Sequence, residues 1–146
     1  MPLDRLLVVL LAIALVVLAG LVVRWWTHRT ATAIRAHGAP LPYPATEIAA
    51  PVTLLNFSSP HCGTCQRVQK PLVDKVSAQF PDQVAVVEVD ALAQADLARA
   101  YHVLTVPSTV ILTGNRVQDV NYGLASAETL DRQLRAALTA TGLAAA

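Results

Sequence analysis

Phe57-Ser58-Ser59-Pro60-His61-Cys62-Gly63-Thr64-Cys65-Gln66 decides the reading of this chain, because it holds both of its cysteines and sets them three positions apart. An apolar run, Val52 to Leu55 and then Phe57, leads into this Cys-x-x-Cys, and an amphipathic helical pattern leads out of it. The cysteines are therefore expected where a strand feeds the start of a helix. Backbone N–H groups and the positive end of the helix dipole favour negative charge at such a turn, and Cys-x-x-Cys thiols placed there have pKa values well below the ordinary ~8.5. The stretch points to dithiol–disulfide redox chemistry. Half of a metal site and two unrelated buried thiols are the competing readings.

Downstream, Val68, Leu72, Val76 and Phe80 recur four apart, which predicts one helix face over Cys62 to Phe80, kinked at Pro71 and stopped by Pro81. Val84 to Asp90 is rich in β-branched residues and reads as a strand. Leu92 to Tyr101 reads as a short helix, with Leu92, Asp96, Leu97 and Tyr101 at helical spacing. Thr109 to Leu112 and Arg116 to Asn121 form a hairpin about Gly114-Asn115. A last helix is opened by Ser126, carries Glu128 in its first turn and Leu130, Leu134 and Leu138 as its stripe, and has Gly142 near its end. The order is β-α-β-α-β-β-α without internal repeats, closed by an Ala-rich tail over 142–146 that is expected to be flexible.

Upstream, Leu6 to Val23 is an unbroken apolar run of roughly 18 residues, about 27 Å as a helix and close to the hydrocarbon thickness of a bilayer. It reads as one membrane span through residues 6–23, with Trp25 and Trp26 at the interface and Arg24, Arg29 and Arg35 near anionic head groups. A cleaved signal peptide is the competing reading, but it calls for an apolar core of about 7–15 residues. The expected location is the cell membrane, single-pass. Arg5 before the run against three arginines after it favours a cytoplasmic domain by the positive-inside count, while the cysteine pair suits a compartment of either redox state. Thr30 to Pro51, with Pro40, Pro42, Pro44 and Pro51, reads as a semi-extended linker. The layout is an anchor and juxtamembrane segment over 1–29, a Pro/Ala-rich linker over 30–50, a domain over 51–141 and a tail over 142–146. The net charge is +1, and nothing resembles the basic face of a nucleic-acid binder.

The element order, with Cys-x-x-Cys at the first strand-to-helix turn, resembles the thioredoxin family. Val103-Leu104-Thr105-Val106-Pro107-Ser108-Thr109 is similar to the family's cis-proline loop, which faces the active-site disulfide. Gly123 matches a glycine of its substrate-binding groove, Asp90 ends its strand, and Tyr101 closes the short helix. The resemblance covers about Pro51 to Leu138. It implies an α/β fold of thioredoxin type, a central mixed sheet flanked by helices, here preceded by the one N-terminal transmembrane helix. A cis bond is nearly exclusive to X-Pro, and a proline opening a strand cannot donate to the ladder, so Pro107 independently belongs at an edge or turn. By carry-over, the backbone of Val106 pairs with the substrate chain like an added strand. The departures are His61 where an aromatic residue often precedes the first cysteine, Thr64 where proline is common, Asn56 in place of a buried acid, Val86 in place of a lysine, and the helix proline one position late, at Pro71. The family's opening strand and helix are absent or much shortened.

The resemblance implies a thiol–disulfide oxidoreductase, here tethered to the membrane by the apolar run, exchanging disulfides with protein substrates, served by an upstream thiol reductant or oxidant, without organic cofactor or metal, and monomeric. Cys62 as thiolate attacks the substrate disulfide, and Cys65 then attacks Cys62 to release reduced substrate. Val106, Pro107 and Gly123 form the substrate groove; His61, Asn56, Gly63 and Thr64 tune the site. His61 either stabilises the Cys62 thiolate as a cation or stands in solvent at the rim. Asn56 cannot accept a proton near neutral pH, which leaves water or Glu88, on the strand face of Val86, for the resolving step. The alternative is a thioredoxin-fold metallochaperone, with Cys62, Cys65 and a histidine as ligands, or a redox-inactive binding module.

Overall fold

The computed structural model describes residues 11–22 and 50–142, and the chain divides into two units, Met1–Ala33 and Ile34–Ala146. In the first unit residues 11–22 are helical, with Leu11, Leu15, Val16, Leu18 and Leu21 exposed. At about 1.5 Å per residue the described helical residues rise ~18 Å, against a hydrocarbon thickness of ~30 Å. No helix among the described residues is long and apolar enough to cross a membrane. This overturns the expected span over residues 6–23 and, with it, the single-pass membrane location and the facing inferred for the domain. The tryptophan pair, all of the 30–50 linker but residue 50, and all of the 142–146 tail but residue 142 lie outside the described residues.

The second unit is built on a mixed sheet. β1 (Val52–Ser58) lies inside it, parallel to β2 (Val84–Asp90) and antiparallel to β3 (Ser108–Thr113), which pairs with β4 (Arg116–Tyr122). Residues 52–57 are all buried, as an inner strand covered on both faces requires. Leu55, Phe57, Val110 and Leu112 face α2 (Ala95–Ala100), packing with Leu97, Ala98 and Tyr101. Val52, Leu54 and Ile111 face the other way, onto Val73 and Val76 of α1 (Lys70–Ser77) and Leu130, Leu134 and Leu138 of α3 (Ala127–Ala140). Each large side chain so buried contributes about 1.5–3 kcal/mol, more than a surface ion pair such as Asp131–Arg135 adds. The two apolar layers therefore set the architecture.

The expected element order is present, with two local differences. Residues 63–64 open a helix that passes through a π-helical turn, Cys65–Gln69, before α1. Its inward face is Cys65, Gln69, Val73 and Val76, while Val68 is 44% exposed. A spacing of four drifts by about 40° per step around a 3.6-residue helix, so Val68 lies roughly 80° off Val76. In the π turn the N–H of Lys70 reaches the carbonyl of Cys65, and the extra residue per turn takes up the late position of Pro71. The second difference is at the short helix, which starts at Ala95 rather than Leu92. Asp90 Oδ1 accepts from the N–H groups of Leu92 and Ala93 at 2.9 and 3.2 Å, holding a turn that leaves Leu92 in solvent.

α3 follows its sequence signals. Ser126 Oγ accepts from Thr129 N–H at 3.2 Å, Glu128 lies in the first turn, and Gly142 follows the helix end with φ of 74°.

Candidate active site

β1 delivers the chain to the site. At its end the Ser58 carbonyl accepts from Ala91 N–H at 2.9 Å, and the Ser59 carbonyl accepts from Cys62 N–H at 3.0 Å. Ser59 Oγ also accepts from the backbone N–H of His61 at 3.3 Å. These bonds close the turn between strand and helix. Cys62 and Cys65 are joined as a disulfide, S–S 2.07 Å and Cα–Cα 5.2 Å. Their exposures differ: Cys62 is half-buried and Cys65 only 1% exposed. The backbone N–H of Cys65 points at Cys62 Sγ, 3.1 Å away. Once the pair is reduced, that N–H and the helix start favour the thiolate on Cys62.

His61, Gly63 and Thr64 are exposed at the turn. Thr64 has helical backbone angles and makes no side-chain cap, so it serves as an ordinary first-turn residue. Gly63 faces Arg67: a Cβ built there falls 2.7 Å from the guanidinium Nη2.

The proline loop meets the same end of the sheet. Phe57 is paired with Ser108, so the preceding residue, Pro107, adjoins Ser58. The Val106–Pro107 peptide is cis. The Pro107 carbonyl accepts from Gly123 N–H at 2.9 Å, and Ser108 Oγ donates to the Thr105 carbonyl at 2.8 Å. Val106, Pro107 and Gly123 are thereby gathered beside the disulfide turn. Exposed apolar side chains belong to this end as well: Leu92 after β2, Leu104 before β3, Leu124 after β4, and Val68 on the helix, with Leu104 at 94% exposure.

Asn56 is fully buried on the β1 face that the cysteine helix covers. Its Nδ2 donates to both carboxylate oxygens of Glu88 at 3.1 Å, and Lys70 Nζ donates to Glu88 Oε1 at 3.3 Å. A neutral amide thus bridges the helix-covered face to an acid that reaches the surface. Sequence reasoning misses Gln69, which is also fully buried and accepts through Oε1 from Ala125 N–H at 3.1 Å. Its signal is its place, one turn after Cys65 on the inward face. Periodicity counts only apolar residues and so passes over it. Lys70 is missed for the same reason. His102, with φ of 53°, is exposed.

Among the described residues no group of three or more His, Cys, Asp or Glu side chains is placed to hold a metal ion.

A disulfide between a half-buried and a buried cysteine at a strand-to-helix turn, beside a cis-proline, is the working centre of a thiol–disulfide oxidoreductase, and Cys62 and Cys65 are its redox pair. The Thioredoxin family model matches residues 45–136, and the chain belongs to that family. A thioredoxin 1 of Synechococcus elongatus is 36% identical over 85 residues, 56% of this chain and 78% of that protein. A thioredoxin 1 of Nostoc sp. is 30% identical over 81 residues, 56% of this chain and 75% of that protein. Among solved structures, a single-site mutant of thioredoxin from Halobacterium salinarum superposes with a TM-score of 0.56 at 27% identity, covering 64% of this chain and 80% of that one.

Proposed function

We propose that residues 51–141 form the working domain of an enzyme that exchanges disulfides with protein substrates, Cys62 attacking and Cys65 resolving. The observation that carries this assignment is the asymmetry of the pair: Cys62 is accessible and receives the Cys65 N–H, whereas Cys65 is 1% exposed. An incoming disulfide meets Cys62 first, and Cys65 is within reach of only one sulfur, that of Cys62.

The substrate chain lies along Val106 and Pro107, its backbone pairing with Val106 as an added strand, with Gly123 as the opposite wall. The exposed Leu92, Leu104 and Leu124 around this groove support a partner that presents apolar side chains next to its disulfide. Both cysteines and the groove come from one chain, which supports a monomer. Gly63 and Thr64 set the first turn. His61, exposed beside Cys62, raises the potential when charged by favouring the thiolate.

Insulin reduction with dithiothreitol as electron donor tests the reading. Cys62→Ser is expected to abolish catalysis, and Cys65→Ser to accumulate a Cys62-linked mixed disulfide with the insulin chain. Wild-type activity no higher than that of Cys62→Ser would sink it.

A further inference from the structure

On the sheet face that the cysteine helix covers, a row of polar side chains crosses the four strands. Glu88 is paired with Asn56, Asn56 with Thr109, and Thr109 with Asn121. Directly paired residues point to the same face, here the face of Val52, Leu54 and Ile111, which α1 and α3 cover. The row has two hydrogen-bonded halves. On one side Asn121 Nδ2 donates to Thr109 Oγ1 at 3.0 Å, and Asn121 and Gln133 of α3 exchange bonds of 2.8 and 3.0 Å. On the other, Asn56 and Lys70 hold the Glu88 carboxylate.

Within the row Asn56 Oδ1 is buried without a partner, and on the helix that covers this face so is Nε2 of Gln69. An open acceptor and an open donor thus lie on facing elements, in the layer that also receives Cys65 from the inward face of the helix. Buried polar groups of this kind hold an internal water, which bonds about three partners.

We infer that Glu88 is the proton acceptor for Cys65, acting through a water lodged between Asn56 Oδ1 and Gln69 Nε2, with Asn56 as the positioning residue that holds the carboxylate. The inference rests on Cys65 being the resolving thiol. In the mixed disulfide, the Cys65 S–H proton passes by way of the water to Glu88. The Cys65 thiolate attacks Cys62 Sγ, the Cys62–Cys65 bond forms, and the bond from Cys62 to substrate breaks. The electron pair leaves on the substrate thiolate, which takes a proton from solvent or back from Glu88. Substrate sulfur is reduced and the enzyme pair oxidised by two electrons. Cys65 is shut off from solvent, so its proton needs an internal route; Glu88, with 38% of its side chain exposed, opens that route to bulk water. The charged groups facing Glu88 are Lys70 on α1, with Asp74 3.9 Å from Nζ, and Asp90 two residues along its own strand. From β1 it meets only the neutral amide of Asn56.

The test is a single-turnover experiment on the full chain, reduced and mixed with excess insulin, quenched with acid and followed as mixed disulfide from pH 6 to 10. Glu88→Gln is expected to form the mixed disulfide at the wild-type rate and to resolve it at least about tenfold more slowly at pH 7. That is less than the ~10²–10⁴ of direct general acid–base catalysis, because a water intervenes. The deficit is expected to narrow as pH rises toward 10, because direct loss of the thiol proton to hydroxide increasingly replaces transfer to the carboxylate. Glu88→Gln/Asn56→Asp, which moves the carboxylate across the strand pair, is expected to recover resolution to within about twofold. Resolution by Glu88→Gln at the wild-type rate at pH 7, a deficit unchanged at pH 10, or a double variant as slow as Glu88→Gln would each overturn the inference. Cys65→Ser separates the two readings. If it traps no mixed disulfide, the cysteine assignment falls and this inference with it; if it traps one while Glu88→Gln resolves normally, only the role of Glu88 falls.

Discussion

Gln69 Oε1 accepts the backbone N–H of Ala125 across 56 residues of chain, joining the turn that carries Cys65 to the segment that follows Gly123. Both residues are buried, Gln69 completely. Two segments that flank the site are thus fixed to one another through a single side chain. Gln69→Leu fills similar space but leaves a buried N–H without an acceptor, which costs about 1–3 kcal/mol. The expected result is a lower urea midpoint with an unchanged m-value, together with slower insulin reduction. A midpoint equal to wild type would show that the Ala125 N–H finds another acceptor.

How far the sequence goes is seen at this same residue. The strands are legible because their signals are local: Val52 to Phe57 reads as an inner strand and is one, and Gly114-Asn115 marks the hairpin between β3 and β4. Cys-x-x-Cys also locates the redox pair, since its spacing carries its own chemistry. Gln69 and Lys70 are illegible, because burial of an amide or the aim of an ammonium depends on a partner distant in sequence: Ala125 in one case, Glu88 in the other. The helix face is misread at Val68 because strict four-residue spacing drifts around the axis. The membrane span is overturned on another ground: among the described residues no helix is long and apolar enough to cross a bilayer.

Gly63 and Gly123 are expected to respond oppositely to alanine. At Gly123, φ is +92° and a Cβ meets nothing within 4 Å, so the cost of Gly123→Ala is backbone strain alone, about 1–3 kcal/mol. At Gly63 a Cβ falls 2.7 Å from Arg67 Nη2, the far end of a flexible side chain that swings aside. Alanine gains about 0.5–1 kcal/mol over glycine within a helix. Gly63→Ala is therefore expected to be neutral or slightly stabilising, and thermal melting of the two variants side by side decides the matter. A Gly63→Ala loss as large as that of Gly123→Ala would mean that Arg67 is held in place.

Burial pushes the Tyr101 hydroxyl well above its ordinary value of 10.0, and the Tyr101 oxygen is buried without a partner. A group whose folded pKa is raised contributes stability that is fully present below the unfolded value and lost as pH rises past it. Wild type is expected to lose stability above about pH 10 as the unfolded chain ionises. Tyr101→Phe keeps the edge-on contact with Phe57, whose ring centroid lies 5.9 Å away, and removes the orphaned hydroxyl. Near pH 7 the variant is expected to be as stable as wild type or slightly more so, with a shallower alkaline decline. Urea midpoints at pH 7 and at pH 10.5 measure both; an equal alkaline decline in the two proteins would place its origin elsewhere, for instance at Tyr122, also raised by burial.

Asn56 is held by neutrality. Its Nδ2 lies 3.1 Å from each Glu88 oxygen, so Asn56→Asp alone replaces a donor with a second carboxylate at a fully buried position. Two carboxyls so close cannot both ionise cheaply, and one is held protonated well above its usual range. With the folded pKa raised, the penalty is small below the unfolded aspartate value of about 3.9 and grows as pH rises through it. Asn56→Asp is therefore expected to lose about 2–4 kcal/mol at neutral pH, the scale for an uncompensated buried charge, and to recover much of that near pH 4. In the Glu88→Gln background the cost falls, because the amide introduced on β2 donates to the new carboxylate on β1, which the native Glu88 would repel. A double-mutant cycle over pH reads this as a coupling of the pair at pH 7 that shrinks on acidification. Additive, pH-independent effects would mean that the side chains of these two positions do not meet in solution.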